Sequence, residues 1–348
     1  MALRFLDSFD HYSSNDVLLK WTAKEIGGGT PYLVPALHGN GLAAAFSKGL
    51  VFGSNTIIME AYVKRGNGSL FCLQDTGAGN PVFTQVTART TEVGGIEVVR
   101  GIGQNGPSDL IWASAPDVLR SGSWYHFGWK VRVHPSAGTL DVRVNGGTLC
   151  NLTGINTTFS FWSGTVGGII LGLSATGIVF DDLVVMDDVD DGLNDPRLPG
   201  GGGFDKFLGP VEIVVKRPNG TGLLAEWVPT PSVPNWQNVD DIEPDGDTTY
   251  NDADPTAVGK SDLFAMENMG ADQDPVAVQS LVCARKTEEG TAAVAKLVND
   301  GGTTTVGPTV YQPSTYSYMH QAEPTLPDGS LWTVAKWNAI QYGYRRMV

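Results

Sequence analysis

Acidic side chains are the first residues whose spacing invites chemistry. Asp181, Asp182, Asp187, Asp188, Asp190, Asp191 and Asp195 crowd one short stretch, and Asp245, Asp247 and Asp252 form a second group in PDGDTTYND. Runs rich in carboxylate suit Ca²⁺, a hard cation that takes roughly six to eight oxygen ligands. Neither run has Asp-x-Asp-x-Asp-Gly spacing, and like charges in series also read as a solvated, extended linker. Calcium in one of these loops is therefore the single cofactor the sequence brings forward, and otherwise none is expected.

Hydrolytic machinery is harder to assemble. A retaining glycoside hydrolase needs two carboxylates aimed into one cleft, but Glu60, Glu92 and Glu97 are separated from suitable partners, and Glu212 stands beside valines. HExxH and GxSxG are both absent, and His11, His38, His126, His134 and His320 share no ligand spacing. His126, just after Trp124 and Tyr125, reads as a wall residue of a β structure. Cys72, Cys150 and Cys283 lie far apart without a CxxC, which argues for buried thiols rather than disulfides or zinc. No catalytic residue is expected, and the chain reads as non-enzymatic.

Nine tryptophans are the remaining candidates. Trp112, Trp124, Trp129 and Trp162 fall among strands, where most aromatics fill a core and an exposed one could stack on a sugar ring. Trp227 and Trp236 sit in a proline-rich loop, where an aromatic can anchor a neighbouring subunit. Trp332 and Trp337, in WTVAKWNAIQYGY, are assigned to the same assembly surface.

The elements that must position these residues are strands. The chain has 348 residues, 44 of them Gly and 20 Pro, and a net charge of -14. Turns should be frequent, and the negative charge removes the electrostatic attraction on which nucleic-acid binding depends. No apolar run is long enough to cross a membrane as a helix, and Asp7 and Asp10 interrupt the place where an export signal would be apolar. Synthesis in a cytoplasm is the expectation. From Asn55 the text is a series of alternating or β-branched runs, with WKVRV and TLDVRV forming a hairpin around Pro-Ser-Ala-Gly. The fold class is all-β: an antiparallel β-sandwich over residues 1–188, an acidic and Gly-rich linker over 189–203, and a smaller loop-rich β domain over 204–348. GPVEIVVKRP should open that second domain as a strand, and turns at TEEG and DGG should make two hairpins.

SGSWYHFGWKVRV followed by GTLDVRVNG resembles the central hairpin of the concanavalin A-like, or laminin G-like, jelly-roll family. That family's hydrolases carry Glu-x-Asp-x-x-Glu, which is absent here. LRFLDSFDHYSSNDVLLKWT, FDDLVVMD, DKFLGPVEIVVKRPNGTGLLAEW, VDDIEPDGDTTYN and GSLWTVAKWNAIQYGY together resemble structural proteins of tailed bacteriophages. The resemblance implies a homo-oligomeric virion component, on the head, neck, collar or tail fibre, bound to other virion proteins through the second domain. A lectin-like adhesin for host surface glycans is the alternative, and a polysaccharide depolymerase a third.

Overall fold

The computed structural model describes residues 2–348 apart from 15, 22, 25–32, 44, 76–83, 102–107, 160–161, 174, 190–194, 199–205, 232, 255 and 257. Asp190, Asp191 and the glycine run Gly200 to Gly203 lie outside the described residues. The chain divides into two compact units, Met1–Ile213 and Val214–Val348.

The first unit contributes β1 (Ala2–Asp7), β2 (Ala23–Lys24), β3 (Leu33–Pro35), β4 (Asn40–Leu42), β5 (Phe46–Gly49), β6 (Thr56–Lys64), β7 (Gly68–Asp75) and β8 (Thr84–Thr90). It continues with β9 (Ile96–Gly101), β10 (Ser108–Ala113), β11 (Trp124–Arg132), β12 (Gly138–Val144), β13 (Gly147–Ile155), β14 (Val166–Leu171) and β15 (Val179–Asp187). A large sheet runs β13-β12-β11-β6-β15-β4-β3, with β1 also on β15, and a second runs β10-β9-β8-β7-β14-β5-β2. Every pairing is antiparallel. The expected hairpin is β11–β12, in register from Phe127↔Val144 to Arg132↔Thr139.

Alternation explains why these runs are strands. On β11 and β12, Phe127, Trp129, Val131, Leu140 and Val142 are buried, while Lys130, Arg132, Asp141 and Arg143 are not, so one face meets a core and the other carries the charges. Phe71 of β7 closes the sandwich against Phe127, Trp129 and Phe180 of the opposite sheet, with ring centroids 5.5–6.0 Å apart. Each such aromatic, fully buried, contributes about 1.5–3 kcal/mol.

The second unit has a sheet β16-β19-β24-β21-β22 and two two-stranded ribbons, β17-β18 and β20-β23. Its strands are β16 (Pro218–Ala225), β17 (Val228–Thr230), β18 (Tyr250–Asp252), β19 (Ser261–Met266), β20 (Val278–Ala284), β21 (Ala293–Asp300), β22 (Thr303–Tyr311), β23 (Ser317–Glu323) and β24 (Gln341–Arg346). The DGG turn makes the β21–β22 hairpin. TEEG does not make one, because β20 pairs with β23 instead.

Three sequence expectations fail here for physical reasons. GPVEIVVKRP is not a strand: residues 211–217 have no regular secondary structure. The amides of Leu208, Gly209 and Ile213 bond to side-chain carboxylates of the sandwich rather than to a neighbouring strand. Residues 206–213, placed in the second domain by their position after the glycine run, accordingly belong to the first unit. Trp332 and Trp337, assigned to an assembly surface, are core: with Val278, Val298, Leu326, Ile340 and Tyr342 they form one buried cluster. Their indole N–H groups donate to the carbonyls of Glu323 and Glu267 at 2.9 Å, so both ring and polar tip are satisfied inside the unit.

Candidate active site

The outward face of the large sheet carries the chemistry. Residues directly opposite on paired strands share a face, and the register places two rows across it. One row is Val184, Glu60, Gly128 and Arg143, and the next is Asp181, Tyr62 and His126. His126 Nε2 lies 3.5 Å from Glu60 Oε2, and both side chains are buried. Tyr62 stands between two imidazoles, edge-on to His126 at 5.4 Å and to His38 at 5.3 Å.

Glu60 is held from above by main chain. Its Oε1 accepts the Leu208 N–H at 2.5 Å and its Oε2 the Gly209 N–H at 3.0 Å. Phe207 lies on Gly128, where a β-carbon would come within 2.9 Å of the ring. The Arg143 guanidinium sits 4.3 Å above the same ring, a cation–π contact. Gly128 is thus the close-approach point that lets residues 206–213 lie across the sheet as a strap.

Burial sets the proton affinities of this face. It pushes the Glu60 carboxyl up to about 7, against the opposing pull of the Leu208 and Gly209 amides and the Arg143 charge. It pushes the His126 imidazole down to about 4. Near neutral pH His126 is therefore an uncharged acceptor, and Glu60 retains its proton in part. Tyr62 is raised by burial and by the charges of Asp182, Glu212 and Asp181.

Next to Tyr62, β15 breaks register between Asp181 and Val184. Asp182 there takes a φ of +48°. His38 reaches both aspartates, its backbone N–H donating to Asp181 Oδ2 at 2.8 Å and its Nδ1 lying 2.6 Å from Asp182 Oδ2. Burial raises both carboxyls, Asp181 to about 7. For His38, burial works downward, and the hydrogen bond and charge of Asp182 outweigh it, so the net shift is upward. Among the described residues, His38, Asp181 and Asp182 form the group whose donor atoms could hold a metal ion, all within 4.8 Å of one another.

Three of the other acidic positions, Asp187, Asp195 and Asp247, are engaged elsewhere. Asp187 is bound by Arg4 at 2.8 Å and by the Gly53 N–H at 2.7 Å. Asp195 is forked by Arg197, and Asp247 by Arg285 and Tyr316. Trp227 and Trp236 are half-buried, the former donating to the Lys260 carbonyl at 3.2 Å. None of Cys72, Cys150 and Cys283 is in a disulfide. Sequence reasoning passed over Glu60, Tyr62 and His38 as a set. The available signal was a glutamate inside the apolar run TIIMEAYV, since a charge at the centre of a buried strand needs a reason.

No family model matches the chain, and no curated protein matches it. Solved structures do. An endo-β-1,4-glucuronan lyase from the fungus Trichoderma reesei is 12% identical, with 53% of this chain and 96% of that one covered and a TM-score of 0.34. The alginate lyase Aly36B is 14% identical over 53% and 96%, with a TM-score of 0.33. A carbohydrate esterase from the Shiga toxin-encoding bacteriophage phi24B is 12% identical over 54% and 98%, with a TM-score of 0.35. The expectation of a non-enzymatic virion structural protein is corrected here: these neighbours are polysaccharide lyases and a carbohydrate esterase. A shared fold does not fix a reaction; what this chain does has to follow from its own side chains.

Proposed function

We propose that the first unit is a carbohydrate-processing module and that Glu60 and His126 are its proton-exchanging pair. The observation that carries this reading is the 3.5 Å approach of the two groups, with burial moving their proton affinities in opposite directions. Titratable groups perturbed together on one face are the usual mark of acid–base chemistry. At neutral pH His126 takes a proton from a sugar carbon or hydroxyl, and Glu60 returns one to the departing oxygen. Arg143, beside the pair, meets negative charge on the substrate. Phe207 and Gly209 cover the pair, so the strap lifts before a polysaccharide enters. Host surface glycans are the substrates in view.

The test is to incubate the full chain with alginate, glucuronan and acetylated glycans, following new reducing ends, unsaturated ends and released acetate. Activity on one of them should fall by about 10²–10⁴-fold in His126→Gln and Glu60→Gln, and Phe207→Ala should raise it. Absence of product from every polymer, or full activity in both variants, overturns the assignment.

A further inference from the structure

We propose that His38, Asp181 and Asp182 bind a divalent transition-metal ion of the Mn²⁺ to Zn²⁺ kind at the β15 bulge. Consecutive side chains of a regular strand point to opposite faces. The register slip after Asp181 and the left-handed backbone of Asp182 bring both carboxylates to His38 instead, Asp182 to its imidazole and Asp181 to its main-chain N–H. Three donor atoms then converge from two separate segments, which an isolated hydrogen-bonded pair does not require.

The surroundings orient the donors and leave them lone pairs to give. Asp181 Oδ1 accepts the Asp182 N–H at 2.9 Å, and Asp182 Oδ1 accepts the Ile213 N–H at 2.8 Å. Outer hydrogen bonds of this kind fix metal-ligating carboxylates. Charge balance points the same way. Asp181 is 0% and Asp182 2% exposed, and Asp10 and Glu212 add negative charge from outside the pair. The His38 imidazole is bonded to Asp182, while Asp181 is met by the His38 main-chain N–H, so one imidazole stands against two buried carboxyls. A buried charge without a counter-charge is costly, and a divalent ion supplies what is missing.

The donor set chooses the ion. Calcium prefers an all-oxygen shell, whereas imidazole nitrogen with carboxylate oxygen suits first-row divalent metals. The His38 Nδ1 to Asp182 Oδ2 distance of 2.6 Å must open to roughly 3.3 Å around a tetrahedral ion, a small movement for a side chain 32% exposed. That exposure also gives the ion its way in and leaves room for water in the remaining positions.

The experiment uses the full chain stripped of metal, titrated separately with ZnCl₂, MnCl₂ and CaCl₂ by calorimetry and followed by thermal unfolding. Zinc or manganese should bind one ion per chain and raise the Tm of the first unit by about 5–10 °C near 100-fold excess over Kd. His38→Gln and Asp182→Asn should abolish both signals. Without metal, Asp182→Asn should melt no lower than the wild-type chain, because asparagine tolerates the left-handed backbone and removes a buried charge. His126→Gln should bind metal normally, which separates this inference from the carbohydrate reading. No binding, binding unchanged in the two ligand variants, or binding of calcium alone overturns it.

Discussion

Buried carboxylates are answered differently in the two units. In the second, Glu323 meets the Lys296 ammonium and the Tyr342 hydroxyl, and the pair sits beside the tryptophan core, with Trp332 bonded to the Glu323 carbonyl. In the first, Glu60 meets two backbone amides and an imidazole that burial keeps neutral. A carboxylate matched by an ammonium and by hydroxyl or indole donors serves as a structural tie. One matched by amides and histidine titrates near neutrality and retains lone pairs, which is what proton transfer needs. Asp7, tied to Lys20 at 3.1 Å and to the Tyr12 and Trp21 donors, shows the first kind also occurring in the first unit.

The largest effect expected from this contrast is at the structural tie. Lys296→Met leaves Glu323 buried without its cation and should destabilise the second unit by about 3–5 kcal/mol, read from urea unfolding by tryptophan fluorescence. Adding Glu323→Gln should restore most of the loss, since an apolar and neutral pair no longer buries a lone charge. A small loss in Lys296→Met would mean the pair is open to water.

At Glu60 the effect is smaller and depends on pH. Folded Glu60 keeps its proton to about 7 instead of 4.5, so between those values the folded chain binds more protons than the unfolded one, and stability falls as pH rises. His126, held at about 4 instead of 6.5, has the opposite slope: stability falls as pH drops through that window. The groups facing Glu60 are His126 on β11, Arg143 on β12 and the strap amides. Glu60→Gln should therefore gain about 2–3 kcal/mol on wild type at pH 8 relative to pH 5, measured by urea unfolding at both. Parallel curves would show Glu60 titrating as an ordinary glutamate.

The strap itself can be loosened. Gly128→Ala places a β-carbon against Phe207 and should cost about 1–3 kcal/mol as an overpacking change. Its more specific sign is faster tryptic cleavage after Lys206, with Phe207→Ala in the same chain returning the stability. Unchanged cleavage would mean the strap is held by its amide bonds to Glu60 and Asp182 alone.

How much of this was legible follows from the range of each signal. The sandwich was readable because alternation on β11 and β12 is local and periodic. The candidate site was not, because His38, Glu60, His126 and Asp181 lie on four segments and meet only through register, and because Asp182 reaches His38 through a bulge that no residue pattern announces. GPVEIVVKRP misled for the same reason. Its valines and isoleucine read as a strand, yet carboxylates on other segments took the amides of Leu208, Gly209 and Ile213. Trp332 and Trp337 misled in the opposite sense: they were assigned to an assembly surface, while their size made them core.

The smallest expected effect sets the limit of the comparison within the second unit. Leu297 of β21 and Val306 of β22 are direct partners across the hairpin, yet Leu297 is 0% exposed and Val306 40%. β22 is an edge strand open on both faces, so it adds backbone hydrogen bonds to the sheet without adding to its core. Val306→Lys should therefore change stability by less than about 0.5 kcal/mol and make the edge less prone to pair with another strand. Leu297→Ala, by contrast, empties a fully buried position and should cost about 2–5 kcal/mol. Equal losses from the two substitutions in urea unfolding would mean that a second copy of the chain covers β22 in solution, and that its valines are buried by association rather than by folding.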